Sequence, residues 1–282
     1  MIDIAYLNQL KKFSLLVRKR VTSNYAGPRR SIAGGAGIVF KDYRIYAPGD
    51  DFRAIDWKVY ARTDNFIVKT YEEERNLEVH VIVDKSKSMD FGGKVTKKDF
   101  ASMLGVGFAY LAIKDNLKFK FTSFSDKLES FQAKKGMQQL ASMVDYLNKL
   151  KSEGPSELSA MMTQYKKFLG QRCLIVLISD FLIDPEEIKS ALVLLSKHEV
   201  RVIQVLDKAE KEIAVEGDYI LHDSETGENM KLFISNRLRT QYQDLLDKHA
   251  AHMRDICYKL NMNFHQITTD KPLFDAFYEI LA

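Results

Sequence analysis

From residue 77 onward, short apolar runs alternate with stretches of helical spacing. The apolar runs Leu77–Val83, Lys118–Phe124, Cys173–Ser179, Val200–Leu206 and Asn263–Thr268 read as strands. The stretches 97–114, 137–150, 157–169, 185–197, 237–259 and 272–281 read as helices. Leu174-Ile-Val-Leu-Ile is apolar without interruption, as expected of a parallel strand covered on both faces. Strands alternating with helices in this way predict an α/β fold with a doubly wound, mostly parallel sheet. Tyr219–Leu221 and Met230–Phe233 flank Ser224-Glu-Thr-Gly and read as a small hairpin inserted near 218–234, before the long helix.

The first 75 residues follow a different pattern. Ile4, Leu7, Leu10, Phe13, Leu16 and Val17 have helical spacing with Lys and Arg between them, so residues 2–20 read as an N-terminal helix. Residues 24–40 are rich in turn formers, and their Gly34-Gly35 and Gly37 match neither a Walker A loop nor a dinucleotide fingerprint. Residues 40–75 read as a small irregular or β subdomain packed on the sheet domain. The expected division is 1–75 and 76–282.

Composition adds limits. The chain has 282 residues, 46% apolar and 28% charged, which suits a folded globular protein and excludes collagenous or mainly disordered classes. Of its 42 basic and 38 acidic residues, seven bases and the lone acid Asp3 fall within residues 1–30. The net charge of +4 therefore belongs to the N-terminal segment, and the rest of the chain is slightly acidic. Two cysteines, Cys173 and Cys257, allow no disulfide framework or Cys-rich zinc site and read as small buried hydrophobes. The six histidines suggest no metal cluster: His249 and His252 share a helix face without a third ligand, and His80 reads as a satisfied core residue. Met1-Ile-Asp-Ile lacks the cationic start of a signal peptide, and no apolar stretch reaches the roughly 18 residues of a membrane span. A cytoplasmic location is expected.

Open parallel sheets bind ligands beyond the carboxyl ends of their strands. The first core strand ends in Asp84-Lys85-Ser86-Lys87-Ser88. In near-extended backbone Asp84, Ser86 and Ser88 share a side while Lys85 and Lys87 point away. A carboxylate with two hydroxyls suits a hard divalent cation. The strand beginning at Cys173 ends in Asp180, a second carboxylate at the same edge, and Ser156 after Gly154-Pro155 offers a third hydroxyl. Capping of turns and helices is the competing use of all these side chains. The constellation resembles the metal-ion-dependent adhesion site of the von Willebrand factor A domain, with Ser156 standing where that family has Thr. The resemblance implies Mg²⁺ (or Mn²⁺) held by Asp84, Ser86, Ser88, Ser156 and Asp180, with an open position for a partner's Asp or Glu. Lys85 and Lys87 would add positive charge that favours an acidic partner.

The most distinctive stretch is Tyr46-Ala-Pro-Gly-Asp-Asp-Phe-Arg-Ala-Ile-Asp-Trp57, followed by Ala61-Arg62 and Glu72-Glu-Glu. Its arginines Arg44, Arg53, Arg62 and Arg75 alternate with Asp42, Asp50, Asp51 and Asp56, which predicts an ion-pair network. With Asp223-x-Glu225-x-Gly227 and Thr269-Asp270-x-Pro272, this stretch resembles the signature of the domain of unknown function 58 family. In that comparison Asp50, Asp51, Arg53, Asp56, Trp57 and Arg62 are signature residues. The resemblance implies a von Willebrand factor A-like domain and an adaptor role beside a MoxR-type AAA+ ATPase and its client proteins. It implies no enzymatic activity.

Three functions compete. The first is a non-enzymatic, Mg²⁺-dependent interaction module. The second is nucleic-acid or membrane-surface binding through the basic N-terminal helix. The third is an aspartyl phosphotransferase at Asp84, which lacks the usual carboxylate two residues on, because that position is Ser86. Deleting residues 1–22 separates the first two. For a docked helix, the deletion is expected to lower the thermal midpoint and leave the salt dependence of DNA and anionic-vesicle binding unchanged.

Overall fold

The computed structural model describes Tyr6 and residues 39–48, 50–72, 78–115, 117–131, 138–170, 173–223 and 229–281. The chain divides into two units, residues 20–76 and residues 1–19 with 77–282. The predicted N-terminal helix lies outside the described residues apart from Tyr6. That ring is buried beside Phe274, and its hydroxyl donates to the Met103 carbonyl at 2.6 Å.

In the smaller unit, β1 (Val39–Ile45) pairs antiparallel with β2 (Ile67–Glu72), with a bulge between Phe40 and Asp42. A 3₁₀ turn at Phe52–Ala54 and helix α1 (Trp57–Thr63) lie between them. This is more regular than the sequence pattern predicted. The expected ion-pair network is also replaced in part by capping. Arg44 does grip Asp50 through two bonds of 2.6 and 2.7 Å, which holds the Asp50 carboxyl down at about 2. Asp51 instead accepts the Arg53 amide, and Asp56 accepts the amides of Lys58 and Val59 at the start of α1. Trp57 is 56% exposed.

The larger unit is built on β3 (Glu78–Asp84), α2 (Lys97–Lys114), β4 (Lys118–Phe124), β5 (Leu128–Phe131), α3 (Gln138–Lys149), α4 (Leu158–Tyr165), β6 (Cys173–Ser179), α5 (Pro185–Leu195), β7 (Glu199–Leu206) and α6 (Lys208–Lys211). There follow the hairpin β8 (Gly217–His222) and β9 (Asn229–Ile234), α7 (Asn236–Lys259), β10 (Asn263–Thr268) and α8 (Leu273–Leu281). The main sheet runs β10-β7-β6-β3-β4-β5; all neighbours are parallel except β5, an antiparallel edge strand. The predicted fold class is therefore present. Every predicted core strand and helix appears within a few residues of its expected bounds, and short β5 is the strand of this sheet that the pattern missed.

Alternate residues of β3 feed two cores. Val79, Val81 and Val83 face the cluster that includes Leu104, Phe108 and Phe277, while Ile82 faces the cluster of Met162, Leu177 and Leu192. Helix α2 is buried on most sides. At Gly107 it comes so close to α8 that an added Cβ would lie 2.0 Å from Phe277 Cζ. The helices start where polar side chains can cap them. Thr96 accepts from Asp99 N, Asp184 from Glu186 N ahead of Pro185, and Ser235 from Leu238 N. No helix among the described residues is long and apolar enough to cross a membrane.

The order reverses at β3, whose neighbours β4 and β6 are reached by crossovers in opposite directions. Asp84 and Asp180 lie at the strand ends beside that switch point, the place where open parallel sheets bind ligands. Gly107→Ala is expected to cost about 1–3 kcal/mol through overpacking against Phe277, seen as a lower urea midpoint at unchanged slope.

Candidate metal centre

At the carboxyl end of β3, Asp84 is fully buried and its carboxylate is the hub of the site. Oδ1 accepts the Ser86 amide at 2.8 Å. Oδ2 accepts two hydroxyls, from Ser179 at 2.7 Å and from Ser156 at 2.9 Å. Ser86 Oγ lies 3.0 Å from Ser88 Oγ. Those two hydroxyls meet through a turn, because Lys87–Asp90 is a 3₁₀ segment rather than the extended backbone expected. Ser156 does not cap α4: Glu157 occupies the cap position, without a side-chain bond, and Ser156 turns to Asp84.

Two loop contacts bring Ser156 within reach. Lys87 N donates to Gly154 O and Glu153 N donates to Lys85 O, so segments 85–87 and 153–154 clasp each other. Gly154 has φ +73°, and a Cβ there would meet Asp126 Oδ1 at 2.6 Å. Only glycine fits this turn without strain.

Asp180 sits at the end of the neighbouring β6 and is 2% exposed. Its Oδ2 is held at 2.8 Å by Lys97 Nζ, which also binds Glu210 Oε1 at 2.6 Å. Lys97 is wholly buried. Burial alone would lower its pKa, but the two carboxylates outweigh it and the net shift is upward. One ammonium is thus shared by two carboxylates. At Asp84, burial first and the Asp180 charge second push the carboxyl up to about 6, against the bonds from Ser86 and Ser179. Lys85 does not lend its charge to the site as expected. It is buried and pairs with Glu129 at 2.6 Å, whereas Lys87 is exposed.

The donor set suits a hard cation. Ligands about 2.1 Å from Mg²⁺ at right angles stand about 3 Å apart, which is the Ser86–Ser88 and Ser156–Asp84 spacing. The surplus of negative charge around Asp84 is what a divalent cation would offset. The structure thus brings together Asp84, Ser86, Ser88 and Ser156, and places Asp180 beside them in the grip of Lys97.

Sequence reasoning missed Ser179, Lys97 and Glu210. Ser179 was visible next to Asp180. Lys97 carries one local signal, a cation in the first turn of a helix, where the macrodipole disfavours it. Glu210 carries its own capping-box bond to Asp207 N and could be tied to the site only in three dimensions.

A profile of the family described as "Protein of unknown function DUF58" matches residues 42–252. The chain belongs to the DUF58 family. Relatives of this DUF58 chain include the uncharacterized proteins Rv1480 of Mycobacterium tuberculosis and Mb1516 of Mycobacterium bovis. Each is 28% identical over 253 residues, covering 88% of this chain and 78% of its own. Among solved structures, BatB from Bacteroides thetaiotaomicron is similar with TM-score 0.45 and 16% identity, over 73% of this chain and 97% of that one. The SpRpn10 VWA domain is similar with TM-score 0.41 and 12% identity, over 72% and 94%. These are likenesses of fold only. The fold reading rests on the strand order itself.

Lys97→Met would strand two carboxylates in the interior. It is expected to destabilise the DUF58 chain by about 3–5 kcal/mol in urea unfolding, and Glu210→Gln added to it should recover part of the loss.

Proposed function

We propose that this DUF58 chain is a non-enzymatic, cation-dependent protein-interaction module. In this reading Asp84, Ser86, Ser88 and Ser156 hold Mg²⁺ (or Mn²⁺), and Asp180, held by Lys97, supplies charge from the second layer. The cation would supply a positive centre with a coordination position for an Asp or Glu of the partner. The observation that carries the reading is the Ser86–Ser88 hydroxyl pair, 3.0 Å apart, beside a buried carboxylate that already gathers two further hydroxyls. Ser88 and Ser156 are only half-buried, so they form the face that a partner would meet.

The chain's own residues do the rest of the work. Ser179 and the Ser86 amide fix the Asp84 carboxylate in one orientation, and the clasp between 85–87 and 153–154 holds Ser156 against it. Lys97 keeps Asp180 from repelling Asp84 at full strength. Membership of the DUF58 family supports a MoxR-type AAA+ ATPase and its clients as the partners, in the cytoplasm.

With Mg²⁺ a hundredfold above its Kd, mass action is expected to add about 2.7 kcal/mol to urea stability. Asp84→Asn should abolish that gain. Capture of the MoxR-type ATPase or a client by the immobilised chain should need Mg²⁺ or Mn²⁺ and be lost in EDTA. Capture that is insensitive to EDTA and unchanged in Asp84→Ala and Ser86→Ala would sink the reading.

A further inference from the structure

The opposite end of β3 holds a second cluster, of different chemistry. Glu78 opens the strand and is paired in register with Cys173, which opens β6. His80, two residues on, returns to the same side of the sheet as Glu78. A carboxylate oxygen of Glu78, a ring nitrogen of His80 and the Cys173 sulfur all lie within 4.8 Å of one another. Ligands around a tetrahedral Zn²⁺ stand about 3.5 Å apart, so a small inward movement of side chains closes the set.

His80 supplies an independent observation. The ring is wholly buried, and its Nδ1 lies 2.7 Å from the Tyr165 hydroxyl. Its Nε2 is buried without a hydrogen-bond partner of normal length; Glu78 Oε2 stands 3.5 Å away, a long contact that pairs charges only when the ring is protonated. With the ring proton on Nδ1 and donated to Tyr165, Nε2 presents a buried lone pair that is costly unless something takes it. Here it belongs to the same three-residue cluster as a carboxylate and a thiol. Tyr165 is placed as the outer partner that orients a ligating imidazole. The Cys173 amide donates to His198 Nδ1 at 3.3 Å, which fixes the start of β6. Glu78 is 23% exposed and pairs at 3.2 Å with half-exposed Lys120, so the cluster reaches solvent on that side.

We propose that Glu78, His80 and Cys173 form a transition-metal site at the amino-terminal edge of the sheet, with Zn²⁺ as the fitting ion and Tyr165 as the residue that positions His80. Thiolate and imidazole select a softer ion than the oxygen ligands around Asp84 do. Six residues of strand, about 20 Å, separate the two ends of β3, so the two sites are tested independently.

The full-length chain, stripped with a chelator, is titrated with Co²⁺ and then with Zn²⁺. One equivalent of Co²⁺ is expected to give a thiolate charge-transfer band and the visible bands of a tetrahedral ion, and Zn²⁺ should displace it. The bands should persist in Asp84→Asn and in Cys257→Ser and vanish in Cys173→Ser. Tyr165→Phe should weaken Co²⁺ binding by about 10–100-fold while the band positions stay the same. Should Cys173→Ser fold poorly, the wild type and Cys257→Ser decide the matter, because the chain has only these two cysteines. A thiolate band in both assigns the ligand to Cys173. No band in the wild type, or a band that survives Cys173→Ser, overturns the proposal.

Discussion

Strand β3 runs through the middle of a sheet covered on both faces, so its polar side chains come near water only at the strand's two ends. Between those ends Val79, Val81, Ile82 and Val83 are almost wholly buried. A carboxylate at such a place is tolerated only if hydrogen bonds, a counter-charge or a cation surround it. The loops after β3 and before α4, and the end of β6, meet this demand around Asp84 with the Ser86 amide and the Ser156 and Ser179 hydroxyls. The same constraint at the start of β3 draws Tyr165 to His80 and Lys120 to Glu78.

Lys97 shows how strongly the interior electrostatics are coupled. Its ammonium is buried in the first turn of α2, against the helix dipole, and it is kept charged by Asp180 and Glu210. The pair ties three elements together: α2, the end of β6, and α6. The Asp84 carboxyl is hard to ionise for a different reason, first its burial and then the neighbouring Asp180 charge. The hydroxyls of Ser86, Ser88, Ser156 and Ser179 around it each already have a hydrogen-bond partner. The proposed reading as an interaction module draws on those bonds: a preset group of oxygens loses little freedom when a partner's carboxylate arrives.

Much of this was legible in the sequence. Continuous apolar runs such as Leu174–Ile178 belong to strands buried on both faces, and the helices between them have clear spacing and caps, so the doubly wound sheet followed from local pattern. Asp84, Ser86 and Ser88 lie within five residues, and Asp180 ends a strand of obvious character, so their approach followed from the rule for parallel sheets. Short β5 and the β1–β2 pairing were not legible. Four residues carry too little periodicity, and the acid-rich, arginine-rich segment around Asp50 hides its alternation behind turn formers. There the aspartates went largely to helix starts instead of to arginines, since a backbone amide lies closer than a flexible guanidinium.

The sequence by itself determined the kind of sheet, the strand ends at which Asp84 and Asp180 lie and the family to which the chain belongs. All three depend on residues that are near one another along the chain or on strands of regular direction. Only the tertiary structure decided which charges meet. Lys97 and Asp180 are 83 residues apart, and Lys97 and Glu210 are 113 apart. Lys85 left the site for Glu129 on the edge strand, and His80 met Cys173 across a strand pair. Side-chain partnerships of that range depend on strand order, register and burial together, and no local pattern encodes them.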